Sequence, residues 1–326
     1  MRPMSSSCSH HGCYAPTMTC VHGDPPEDCP HFAKGAAAAD AEAPAEDGEG
    51  AENQLRFPWT GNAMGPADLP YVAGASKLKL LTLAGASDAG KTSLLAAFYL
   101  LIARGIRPDG VEFAGSVTLE GWENIAGSLR WTSVGGPMFP PHTSTGGGRF
   151  PGMLHLGLDA SQGRCELVAA DAPGEWFSSW ASNQASPQGE GARWLSERTD
   201  VFLVIADSQA LAGAERGQAR VALVNLLRRI GTEAAGRPVA LVWTKCDVTV
   251  SPEMETRIKE AAQRSLDHYQ EFRVSMLPAP GEETRNRGQG IVELLAWIVS
   301  AKPALVAREE REDASRALFQ TFGAFA

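Results

Sequence analysis

From Lys77 onward the chain alternates between short, almost wholly apolar runs and longer stretches whose apolar residues recur at helical spacing. Unbroken apolar runs of this length suit strands covered on both faces, as in a parallel sheet with crossover helices. Strands are predicted over 77–83, 153–158, 165–170, 201–206, 239–243 and 272–276, the second and third close enough to form a hairpin. Helices are predicted over 91–104, 214–230, 252–269 and 290–300. In the second of these Val221, Val224, Leu227 and Ile230 fall three residues apart on one face, and the third has Pro252 near its first turn. The expected fold class is α/β with three layers: a mostly parallel sheet between two helical layers. Residues 303–326 read as an amphipathic helical tail, to which the sequence assigns no function.

Upstream the pattern breaks down. Four of the six cysteines, Cys8, Cys13, Cys20 and Cys29, and four of the seven histidines, His10, His11, His22 and His31, fall within residues 1–35, a small Cys/His-rich segment with almost no apolar residue to build a core. Four thiolates are enough for one tetrahedral Zn²⁺ in a reducing compartment, with His10 and His31 in reserve. The irregular spacing also fits a disordered tail with redox-active thiols. Residues 36–55 follow as an Ala/Gly/Pro stretch carrying Asp40, Glu42, Glu46, Asp47, Glu49 and Glu52, a composition that cannot offset ordering entropy and reads as a disordered acidic linker. The main domain is expected over 70–302.

Composition narrows the classes. Of 326 residues, 44% are hydrophobic and 21% charged, which excludes collagen-like and wholly disordered chains. A net charge of −9 argues against a general nucleic-acid binder. No apolar run approaches the roughly 18–20 residues needed to span a bilayer, and the first residues lack a signal-peptide core, so a cytoplasmic protein is expected.

The strongest chemical signal is Gly85-Ala86-Ser87-Asp88-Ala89-Gly90-Lys91-Thr92, a G-x-x-x-x-G-K-[ST] phosphate loop between a predicted strand and a predicted helix. Backbone N–H groups of Gly85 to Gly90, together with Ser93, would surround phosphates, Lys91 would reach the β and γ phosphates, and the Thr92 hydroxyl would ligate Mg²⁺. Asp171-Ala172-Pro173-Gly174 ends another strand, placing a carboxylate where it can hold Mg²⁺ and the Gly174 N–H where it can sense a γ-phosphate. Thr244-Lys245-Cys246-Asp247 ends a third. A carboxylate at Asp247 can accept from both N1–H and the 2-amino group of guanine, a donor pair that adenine lacks, while the stem of Lys245 can lie over the purine face.

The order G-x-x-x-x-G-K-T, D-x-x-G, T-K-x-D resembles the translation-factor-related GTPases, which include the Ras-like proteins, over residues 77–300. The resemblance implies a P-loop NTPase fold, GTP binding and hydrolysis with Mg²⁺, and a base-side loop containing Ser275. Three departures stand out. Lys91 and Asp171 are 80 positions apart, so the first switch region carries an insertion. The switch residue that senses Mg²⁺ must come from 141–148, with Thr145 preferred and Thr143 next, although a solvated loop explains either threonine equally well. Glu175 stands where Ras-like members place a water-orienting Gln, so unassisted hydrolysis is expected to be slow. Glu175 would act as a base or swing away, and Arg149 is a further candidate for the catalytic group.

The Cys-rich start, acidic linker, long insertion and Asp171–Glu175 segment together look like the bacterial double-GTPase families. That likeness implies a protein partner, either an effector or a second GTPase, in a multi-component system. The expected function is a GTP-hydrolysing regulatory switch. A P-loop ATPase, or a scaffold that binds nucleotide without hydrolysing it, stays open as an alternative.

Overall fold

The computed structural model describes residues 62–74, 76–127, 129, 151–276, 288 and 290–302, all within the compact unit Phe57–Ala326. The Cys/His-rich segment, the acidic linker, the switch loop with Thr143, Thr145 and Arg149, and the C-terminal tail lie outside the described residues.

Seven strands form one sheet: β1 (Lys77–Ala84), β2 (Val111–Gly115), β3 (Gly152–Ala160), β4 (Gly163–Asp171), β5 (Val201–Asp207), β6 (Val239–Thr244) and β7 (Gln270–Arg273). Their order across the sheet is β2-β3-β4-β1-β5-β6-β7. β4, β1, β5, β6 and β7 run parallel, and β3 joins β4 as the predicted antiparallel hairpin, with Leu156 opposite Leu167. Successive side chains alternate between two cores. Leu80, Val168, Val204 and Leu241 meet the layer formed by α1 (Leu69–Ala73), α4 (Gly174–Ser182), α5 (Glu190–Arg198), α6 (Ser208–Ala212), α7 (Arg216–Glu233) and α8 (Pro252–Ser265). Leu81, Leu83, Leu167 and Val242 meet the layer of α2 (Lys91–Ala103), α3 (Leu119–Gly127) and α9 (Ile291–Ser300). Burial on both faces is why β1, β4, β5 and β6 are dominated by apolar residues. Trimming a fully buried leucine such as Leu81 or Leu83 to alanine would cost about 2–5 kcal/mol.

Cations packed into or beside these strands have structural reasons. Lys79 is buried, and its ammonium donates to the carbonyls of Ile298 (2.8 Å), Val299 (2.7 Å) and Ala301 (2.9 Å), satisfying the C-terminal end of α9. Arg237 caps α7 and α5 in a similar way, donating to Ala234 O, Ser196 O and Thr199 O while its guanidinium lies over the Phe202 ring.

Two predicted elements shift. The helix expected to reach 269 ends at Ser265, whose carbonyl lies so close to Gly231 that a β-carbon there would clash; Leu266 then turns extended and buries its side chain. The last strand is Gln270–Arg273 and not 272–276, because pairing with β6 sets Ala240 opposite Gln270 and Trp243 opposite Arg273. As an edge strand with partly exposed positions, β7 tolerates the polar residues that hide it from a hydrophobicity pattern.

The insertion after α2 contains regular structure that the pattern did not reveal. β2 pairs antiparallel with β3 at the sheet's edge, and α3 packs Trp122 against Tyr99 of α2, ring centroids 5.8 Å apart. A buried polar cluster ties this insertion to the sheet. The backbone N–H of His155 donates to Thr118 Oγ1 (2.8 Å), and its carbonyl accepts from Trp122 Nε1 (2.8 Å) and Ser116 Oγ (2.6 Å). His155 Nδ1 accepts from Val117 N (3.1 Å), so the neutral ring donates through Nε2 to Glu166 Oε2 (2.7 Å). Arg164 Nε (2.6 Å) and Ser76 Oγ (3.0 Å) complete the Glu166 shell. Ordered packing also begins upstream of the expected boundary, since Met64 and Met153 exchange backbone hydrogen bonds of 2.8 and 3.0 Å.

Candidate functional site

Because β1, β4, β5, β6 and β7 run the same way, their C-terminal ends share one edge, and the three sequence motifs meet there. β1 turns sharply into α2 through residues 85–90. At Gly85 a side chain would place its Cβ 2.9 Å from Cβ of Ile205, and Gly90 sits at φ +86°, in the left-handed region where glycine is least strained. Asp88 also adopts positive φ (59°). This curl brings the Lys91 side chain back over the loop, where its ammonium donates to Ala86 O (2.7 Å) and Gly85 O (3.2 Å). Burial pushes its pKa down to about 8, against the opposing pull of Asp171, Glu175 and Asp88. A cation held out of water at the mouth of a glycine-rich loop is arranged to meet an anion.

Beside it, Thr92 Oγ1 donates to Asp171 Oδ1 at 2.9 Å. A hydroxyl and a carboxylate so placed form a hard-oxygen pair suited to Mg²⁺. Asp171 leads through Pro173 into α4, whose first residue is Gly174. A β-carbon on Gly174 would penetrate the backbone of Ala86 and Ser87, so the D-x-x-G segment packs directly on the phosphate loop. Glu175 follows, its Oε1 accepting from Ser87 Oγ at 2.7 Å.

The third motif is built into the same edge. Thr244 Oγ1 donates to Ala89 O at 2.8 Å. Lys245 takes positive φ (53°), and its ammonium meets Asp207 Oδ2 at 2.8 Å. Asp247 is half-buried, and its Oδ1 accepts from Ser275 Oγ at 2.9 Å. Ser275 arrives there because Val274 N bonds to Trp243 O (2.8 Å) and Cys246 N to Val274 O (3.3 Å), which carries the chain past β7 to the loop after β6. Burial raises the Cys246 thiol pKa, as expected of a packed rather than a reactive cysteine.

The structure therefore brings together Gly85, Ser87, Asp88, Ala89, Gly90, Lys91, Thr92, Ser93, Asp171, Gly174, Glu175, Thr244, Lys245, Asp247 and Ser275. Thr145 and the expected zinc ligands Cys8, Cys13, Cys20 and Cys29 lie outside the described residues, and among the described residues no group of three or more His, Cys, Asp or Glu could hold a metal ion. Sequence reasoning missed Asp207. Its signal was the one used for Asp171: an acid ending an apolar strand at the same edge.

A phosphate loop, a D-x-x-G turn and a T-K-x-D segment on one edge of a mostly parallel sheet define a P-loop GTPase domain. The chain belongs to the Double-GTPase 2 family, whose model matches residues 79–298. Among solved structures, a Plasmodium falciparum chain described as nucleolar GTP-binding protein 1 is similar at 12% identity, covering 68% of this chain and 85% of that one, with a TM-score of 0.38. No helix among the described residues is long and apolar enough to cross a membrane.

Proposed function

We propose that the protein binds GTP with Mg²⁺, hydrolyses it slowly, and signals its nucleotide state to a protein partner, an effector or a second GTPase. The single observation that carries the base preference is Asp247. This carboxylate is half-buried and held by Ser275, on a strand end whose Thr244 is hydrogen-bonded to the phosphate loop. An acceptor fixed in that way fits the N1–H and 2-amino donors of guanine, a pair that adenine, with an acceptor at N1 and no 2-amino group, does not present. On the phosphate side, Lys91 and the loop backbone would hold the β and γ phosphates, and Thr92 and Asp171 would hold Mg²⁺, which when bound would offset the phosphates' negative charge. The Gly174 N–H would report a γ-phosphate, which the close packing of Gly174 on Ala86 and Ser87 supports, and movement of α4 away from the loop would carry that report outward. Glu175, bonded to Ser87, would set its charge against the γ-phosphate and keep hydrolysis slow unless it swings away.

Calorimetry on the full chain tests the reading: GTP should bind at least about tenfold more tightly than ATP, since a site built to pair a base's donors rejects a base that lacks them. Equal affinity would favour the ATPase alternative, and binding without phosphate release above a Lys91→Ala control, with a partner present, would favour the scaffold. For residues 1–35 the proposal is about one zinc per chain on Cys8, Cys13, Cys20 and Cys29. Elemental analysis of the wild type and of Cys20→Ser checks it.

A further inference from the structure

The geometry points to Asp207 as a positioning residue for base recognition, acting through Lys245. The inference rests on the guanine reading of Asp247 and adds a determinant that lies outside all three motifs. Asp207 ends β5 directly opposite Thr244 of β6, and its carboxylate is divided between two tasks. Oδ1 accepts from Gln209 N (2.9 Å) and Ala210 N (3.2 Å), fixing the side chain against the start of α6 (Ser208–Ala212). Oδ2 accepts from the Lys245 ammonium at 2.8 Å, and only 11% of the Asp207 side chain is exposed. Lys245 is thus anchored at both ends: a left-handed backbone at its α-carbon and a fixed carboxylate at its tip. An unanchored lysine stem samples many rotamers, and ordering it on ligand binding opposes affinity. Held by Asp207, the stem is already laid out as one face of the base slot, with Asp247 and Ser275 presenting the edge contacts. The phosphate loop is anchored separately, through Thr244, so the Asp207–Lys245 pair governs the base and not the phosphates.

Three substitutions separate this role from the helix-capping role of the same carboxylate. Asp207→Ser keeps an N-cap acceptor but is too short to reach Lys245, Asp207→Asn keeps one oxygen for the cap but sets an amide NH2 instead of an oxygen against the ammonium, and Lys245→Ala removes the stem. The readouts on the full chain are affinities for GTP, ATP and inorganic tripolyphosphate, with the thermal midpoint as the structural control. Asp207→Ser is expected to weaken GTP about tenfold, the worth of one charge-assisted hydrogen bond, while leaving tripolyphosphate and the midpoint unchanged. Asp207→Asn, which keeps the cap and loses the same anchor, should weaken GTP to a similar extent, and adding Asp207→Ser to Lys245→Ala should cause no further loss. GTP affinity unchanged in Asp207→Ser, or a parallel fall in tripolyphosphate affinity, overturns the inference. Failure of the underlying base reading is distinguishable, because it appears in the wild type as equal GTP and ATP affinity.

Discussion

The Thr244 hydroxyl donates to the carbonyl of Ala89 at 2.8 Å, joining residues 155 positions apart in the chain. One hydrogen bond thereby couples the loop proposed for phosphate to the strand end proposed for the base. Thr244 is buried, so Thr244→Val keeps the shape and removes the donor. Loss of about 1–3 kcal/mol is expected, read as a lower thermal midpoint. GTP and tripolyphosphate affinities should fall together, whereas Asp247→Asn should weaken GTP and spare tripolyphosphate.

Lys91 gives the site a pH signature. Its pKa stands at about 8 in the nucleotide-free fold against an ordinary 10.5, because burial disfavours the cation. Between those values the unfolded chain binds a proton that the fold does not, so the burial penalty is present in full below pH 8 and the stability of the nucleotide-free protein rises with pH above it. Phosphate beside the ammonium restores the charge, so nucleotide binding takes up a proton above pH 8, and affinity should fall by up to about tenfold per pH unit there. Calorimetry in two buffers of different ionisation enthalpy measures that uptake directly. A flat affinity from pH 7 to about 9.5 would remove Lys91 from the phosphate side.

Glu175 accepts a hydrogen bond from Ser87 of the phosphate loop, which in the proposed reading sets its charge toward an incoming γ-phosphate. Glu175→Gln keeps the hydrogen bond to Ser87 and removes the charge. Tighter GTP binding and phosphate release about tenfold faster are expected, checked by single-turnover assays. A slower rate would instead identify the carboxylate as the base.

The buried His155–Glu166 pair sets the acid limb of stability. Burial lowers the His155 pKa, the Glu166 hydrogen bond only partly opposing it, so the fold favours the neutral ring. As pH falls through about 6.5 the unfolded chain takes up a proton that the fold resists, and stability falls. Glu166 titrates later: its pKa is held below the ordinary value by hydrogen bonds from Arg164, His155 and Ser76, which outweigh burial, so its contribution is lost only as pH drops below about 4.5. His155→Gln should be less stable at pH 7.5 yet show a flatter slope between pH 5.5 and 7, measured by urea denaturation.

Much of this was legible in the sequence because local chemistry and buried periodicity agree. The strand from Lys77 to Leu83 followed by Gly85 to Thr92 specifies both an element and its use, and Asp171 and Asp247 were found by their place after apolar runs. What the sequence concealed lies at edges and in the insertion. β2 and β7 are partly exposed edge strands whose polar positions disguise them, and α3 is recognised only once Trp122 is seen stacked on Tyr99. Asp207 was passed over because no motif accompanies it; only Lys245 folding back toward β5 gives it meaning.

β2 lies along β3 with a register irregularity between Phe113 and Gly115, and because β4 pairs with the other side, β3 is enclosed by strands of its own chain. An approaching protein thus has no open backbone ladder on β3 to extend and would meet β2 as an outer rail, two strands removed from Asp171. Strand addition on this side of the sheet would therefore have to extend β2 rather than the hairpin itself.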